Sequence, residues 1–173
     1  MKMKALITTS LLAVLFVAAG CTQTNKKSEA DAVKQALEQA DLKDVSVSDE
    51  ADKNTVTLGG TLHSDDAKNR AGEIAKQAAP DRTIANEISV QPVGDESQAK
   101  AVASNLDDGI ENNYKAALIS KRLDKQSIHY KAKNGVLTLT GNVKAPQQKS
   151  EAELLASKVP NVEQVINQIE VKR

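Results

Sequence analysis

Few residues in this 173-residue chain have a type and spacing that could do chemistry. Cys21 is the sole cysteine. One thiol excludes an intrachain disulfide and a cysteine-cluster metal site, which leaves it a role as a single attachment point. His63 and His129 are too few for a histidine-built zinc site. The neighbouring acids Asp65-Asp66 and Asp107-Asp108 read as helix-start residues favoured by the dipole. No Walker pattern, no strand–GxGxxG–helix pattern and no Ser/His/Asp arrangement is present. Asn86 and Asn167 share the parity of inward apolar neighbours. They are read as amides bonded to buried backbone rather than ligand contacts, because buried polar groups are nearly always satisfied. The remaining candidates are five cations, Lys121, Arg122, Lys125, Lys144 and Lys149.

Composition narrows the classes further. Lys+Arg and Asp+Glu number 23 each, so nothing global points to a nucleic-acid partner, which would want a basic excess. Aromatics are 2% of residues (Tyr114, Tyr130 and Phe16), too few for stacking platforms or an aromatic-lined pocket. The sequence implies no cofactor and no catalysis.

The environment of Cys21 suggests what it does. Lys2 and Lys4 precede an apolar run over Ala5–Ala19 broken only by Thr8, Thr9 and Ser10. That run is shorter than the roughly 20 residues a helix needs to cross a bilayer. A positive start, a short apolar core and small residues at its end describe a secretory signal peptide over residues 1–20. Val17-Ala18-Ala19-Gly20-Cys21 resembles the bacterial lipobox, although Ala18 stands where Leu is commoner. The resemblance implies that Cys21 receives a diacylglyceryl thioether and palmitate-type acyl chains. Ordinary cleavage after Ala19 is the competing reading. Each buried acyl CH₂ is worth ~0.8 kcal/mol, so a multiply acylated Cys21 would hold the chain on a membrane. Residues 21–28 then form a polar, lipidated tether. Thr22 follows the cysteine where an inner-membrane sorting signal would have Asp. In a diderm cell the expected location is the outer membrane, facing the periplasm.

The mature chain is one unit written twice. Lys53–Leu62 (KNTVTLGGTL) aligns with Asn134–Val143 (NGVLTLTGNV) at an offset of 81, and Ile84–Val90 with Val165–Val171 at the same offset. A period this long means two tandem domains and not a solenoid. Each unit reads helix, strand, strand, helix, strand. Ala32, Val33, Ala36, Leu37 and Ala40 recur at helical spacing. Val45 and Val47, then Val56, Leu58, Gly60 and Leu62, alternate as in half-buried strands. Ala67, Ala71, Ile74 and Ala78 mark a second helix that Pro80 ends, and Ile84–Val90 is the last strand. In the second unit, Leu106, Ile110, Tyr114 and Ala117/Leu118 form the first helix. Asn134-Gly135 is a hairpin signal, Pro146 suits a first helical turn, and Ala152, Leu155, Ala156 and Val159 form an inner face. The expected fold class is α+β: two tandem αββαβ domains, each with two helices on one face of a three-stranded mixed sheet. Expected boundaries are 29–93, a linker over 94–105, and 106–173.

The run Asn134–Val143, followed by a helix and Val165-x-Asn167-x-Ile169-x-Val171, resembles the BON domain (bacterial osmotically inducible and nodulation domain). The resemblance covers both units. The first departs from it: Asn54 replaces the hairpin glycine and the final loop is one residue shorter. The usual Gly-Val before the last strand reads Asp81-Arg82 there and Asn161-Val162 in the second unit. The resemblance implies an envelope location, no catalysis, and attachment to phospholipid or to envelope partners under osmotic stress.

Charge separates the copies. Glu29–Val93 has 7 basic and 13 acidic residues, whereas Leu106–Arg173 has 11 and 8. The order αββ brings Lys121, Arg122 and Lys125, which follow the first helix of the second unit, beside Lys144 and Lys149 around the start of its second helix. These five are the expected site for anionic headgroups. The first unit has Ala40, Asp41, Asp44, His63 and Lys68 at the matching positions. The competing readings are a solvated face or a pairing with the acidic first unit. The expected partners are thus the membrane through Cys21, anionic phospholipid, or, on the alternative reading, an envelope protein docked by an adaptor.

Overall fold

The computed structural model describes residues 28–172. The signal segment, Cys21 and the tether to Lys27 lie outside the described residues. In the first unit α1 (Glu29–Gln39) leads to β1 (Val45–Glu50), β2 (Thr55–Leu62), α2 (Asp65–Ala78), β3 (Thr83–Asn86) and β4 (Ser89–Val90). The second repeats this as α3 (Glu96–Ser120), β5 (Ser127–Lys133), β6 (Val136–Val143), α4 (Pro146–Ala156), β7 (Gln164–Asn167) and β8 (Glu170–Val171).

Each sheet is mixed. β1 pairs antiparallel with β2, and β3 and β4 both pair parallel with β2 in one continuous register. The last strand expected over Ile84–Val90 is therefore one strand interrupted at Glu87-Ile88. The second sheet has the same plan. The interruption is tied to the helix above it: Asn86 Nδ2 donates to Lys68 O (2.9 Å), and Asn167 Nδ2 donates to Lys149 O (3.3 Å). The Nδ2 of each asparagine thus bonds helix backbone as expected, whereas the buried Asn86 Oδ1 has no partner among the described residues.

Both units wrap the same kind of core. Val33, Leu37, Val56, Leu58 and Ile88 are fully buried in the first. Tyr114, Leu118, Leu137, Leu139 and Ile169 are their counterparts in the second, and all are buried. Tyr114 stands where Val33 does, and it shares the core with Ala152 and Ala156 of α4. Its hydroxyl donates to Ala152 O (3.2 Å), and its ring meets Tyr130 edge-on at 5.1 Å. Burial, and then Tyr130, push this phenol well above its ordinary value. The inner stripe of α2 is rotated from the one expected: Lys68, Ala71 and Ala75 are its buried residues, while Ala67, Ile74 and Ala78 are only half-buried. Leu106, placed in the core by its spacing, is 44% exposed.

Two loop lengths change between the copies and cancel. Val45 lies opposite Gly60, but Ile128 lies opposite Gly141. β5 is thus displaced by two residues from a uniform offset, so that His129 corresponds to Ser46 and not to Ser48. The compensation is a tighter hairpin, Asn134-Gly135, with φ 48° and 83°. Gly141 itself has φ +101°, and a Cβ there would lie 1.9 Å from Ser127 O. The second strand can approach the first this closely only at a glycine.

Residues 96–105, expected to link the units, are the first turns of α3. Val102 is 57% exposed there.

Candidate functional site: the basic end of the second unit

The five cations sit where chain direction turns. α3 ends at Ser120, and Leu123 N donates to Leu118 O (2.9 Å), closing the helix end. This closure holds Arg122 in the left-handed region at φ 58°, a conformation that costs a non-glycine residue about 1 kcal/mol. The equivalent Asp41 has φ 62° in the same closure, since Leu42 N donates to Leu37 O. Lys121 and Arg122 thus leave the helix end. Lys125 lies in the loop before β5, in the connection that delays the strand register by two residues relative to the first unit. Lys144 follows β6, and Lys149 is in the first turns of α4.

The ladder places these segments at one end, since Ser127 at the start of β5 pairs with Asn142 near the end of β6. Lys121 reaches Glu151 at 3.8 Å, which ties the end of α3 to the middle of α4. Lys125 pairs with Asp124 at 3.0 Å. Among the described residues, Arg122, Lys144 and Lys149 have no carboxylate within ion-pair distance. Arg122 and Lys144 are exposed, and Lys149 is half-buried. Among the described residues, no side chain caps the N–H groups of the first turn of α4; Gln148 Oε1 accepts instead from Lys144 N (3.0 Å) and Ala145 N (3.1 Å), which precede the helix.

One cation was missed from the sequence. Lys172 N donates to Val143 O (2.9 Å), so Lys172 belongs to this end, paired with Glu170. Extending the repeat by one residue past Val171 would have placed it there.

The first unit does not reproduce the site. Lys68, the match to Lys149, has a side chain only 10% exposed; it donates to Asn134 O (3.2 Å) and Glu163 Oε2 (2.9 Å) of the second unit. At the opposite end of this unit, Arg82 joins Glu29 (3.1 Å), Asp49 and Thr55 O (3.1 Å). The hydrogen bond from Arg82 holds the Asp49 carboxyl below its ordinary value. No group of three or more metal-ligating side chains occurs among the described residues. No helix among them is long and apolar enough to cross a membrane.

A family model for the BON domain matches residues 27–92 and 106–173. The chain belongs to the BON family. Its two BON domains coincide with the two αββαβ units, so the internal repeat and the family describe the same object. BON domains are associated with envelope and osmotic-stress proteins and with phospholipid binding, and the family is generally non-catalytic. No curated relative matches the chain.

The two BON domains meet edge to edge. Gln164 Oε1 accepts from Asn86 N (3.2 Å) and its Nε2 donates to Ile84 O (2.6 Å). One side-chain amide thus occupies the backbone groups that flank Ala85, as a neighbouring strand would. Asn134 Nδ2 donates to Glu87 O (2.8 Å), Lys133 pairs with Glu87 (3.0 Å), and Gln168 Nε2 donates to Thr55 Oγ1 (3.1 Å). Ala85, Val136 and Ile166 form a small apolar cluster between them. The β3 and β7 edges, which strand addition by a partner would need, cover one another.

Proposed function

We propose that this tandem BON protein is a non-enzymatic, lipid-anchored component of the cell envelope. Cys21 holds it on the membrane, and the basic end of the second domain meets anionic phospholipid headgroups, supporting envelope integrity under osmotic stress. The observation that carries this reading is the gathering of Arg122, Lys144 and Lys149, without carboxylate partners, at one end. A basic residue near an anionic surface contributes about 1 kcal/mol, and a protein already tethered needs little more. The adaptor reading is less favoured because one sheet edge of each domain is already occupied by the other. Sedimentation with liposomes is the test. The expected result is binding to anionic but not zwitterionic vesicles, weakened by salt and by the triple variant Arg122→Ala/Lys144→Ala/Lys149→Ala. Equal binding by that variant would overturn the headgroup contact. A single dominant protein adduct on cross-linking in cells would favour the adaptor.

A further inference from the structure

The edge-to-edge junction fixes which way each domain points. Gln164, at the start of β7, lies against Ile84–Asn86, whereas Gln168, further along, reaches Thr55, whose strand partner is Thr83. Glu163, just before β7, meets Lys68 in the first turns of α2. The two edge strands therefore run antiparallel. The basic end of the second domain then faces the same side of the molecule as the end of the first domain where β1 finishes and β2 begins. Ser28 is at that same end, its Oγ donating to Asp49 at the end of β1 (3.1 Å). The anchor's point of departure and the basic end share one side.

Resting on the reading that Cys21 is acylated, we propose that the basic end contacts the same leaflet that holds the anchor, with the second domain down and the first held off. Reach supports this. The seven steps from Cys21 to Ser28 span about 25 Å at full extension, no more than the roughly 26 Å length of the eight-residue β2 without its flanking turns. The tether would have to run taut down the whole flank for the opposite side to face the leaflet. Charge separates the two domains on the shared side. Asp31, Asp52 and Asp81 at the first domain's end have no cation within ion-pair distance among the described residues, so anionic headgroups repel that domain while attracting the second.

The test uses the full acylated protein in vesicles, with a fluorophore on a single introduced thiol and a quencher at headgroup depth. Ser127→Cys reports the basic end, and Asn69→Cys, in the first turns of α2, reports the opposite side. The expected result is quenching of the Ser127 label on anionic but not zwitterionic vesicles, with the Asn69 label unaffected. Arg122→Glu in the Ser127→Cys background should reduce that quenching. Quenching of the Asn69 label instead, equal quenching of both, or clustering of added anionic vesicles by protein anchored in zwitterionic ones would overturn the shared-leaflet orientation while leaving headgroup binding standing. No response of either label to anionic lipid would remove the headgroup contact, and the orientation with it.

Discussion

Arg122 separates a structural role from a binding role at one residue. Its backbone sits at φ 58° because the helix closes there, not because its side chain packs. Glycine adopts that conformation freely. Arg122→Gly is therefore expected to keep or raise the melting temperature, by up to about 1 kcal/mol of strain relieved, while weakening binding to anionic vesicles. A fall in melting temperature would show that the side chain supports the fold. At this scale the sequence was informative about which cations cluster. It was silent on how they pair. Glu151 facing Lys121 and Asp124 facing Lys125 depend on side-chain directions that spacing does not carry. Gln164 was invisible because its match in the first domain is Thr83, and only the packed junction reveals what it bonds.

The elements were legible wherever one face is apolar and the other polar. β2 and β6 alternate cleanly, and both cores follow. One error arose where a second body intervenes. Lys68 is buried because it meets Asn134 and Glu163 of the other domain, which one domain's periodicity does not show, whereas Ala71 and Ala75 face their own core as Ala152 and Ala156 do. α3 extends ten residues beyond the family match, and its early turns lie outside the core with Val102 and Leu106 exposed. Within the first domain, Arg82 binds α1, β1 and β2 through Glu29, Asp49 and Thr55 O. This gives a signed pH dependence. Asp49 ionises below its ordinary value of 3.8 in the folded protein, through the Arg82 hydrogen bond. The stability it contributes is complete above the unfolded value and is lost as pH falls through the folded one. Denaturant titrations of wild type and Asp49→Asn are expected to differ by a constant amount near neutrality, and by less once the pH is below 3.8. A gap that widens on acidification would contradict the ion pair.

For the whole molecule the question is whether two small domains act as one body. Each is near the size at which a single core is marginal alone, and the junction is mostly polar, built on amides and two ion pairs. Gln164→Ala removes two of its hydrogen bonds and leaves Ile84 O and Asn86 N without them, a cost of about 1–3 kcal/mol. Calorimetry of wild type is expected to give one coupled transition, and of the variant two separated ones. A single unshifted transition in the variant would mean that the amide bridge does not couple the domains. Repeat, domain order and fold were readable from the chain. The antiparallel meeting of the sheets was not, because no local pattern encodes how two finished domains approach.

Attachment underlies every functional statement, and the intact mass of the mature protein isolated from envelopes tests it most directly. The account predicts a polypeptide beginning at Cys21 and carrying the added mass of a diacylglyceryl group and a further acyl chain. An unmodified polypeptide, cut after Ala19 and free in the soluble fraction, would contradict it.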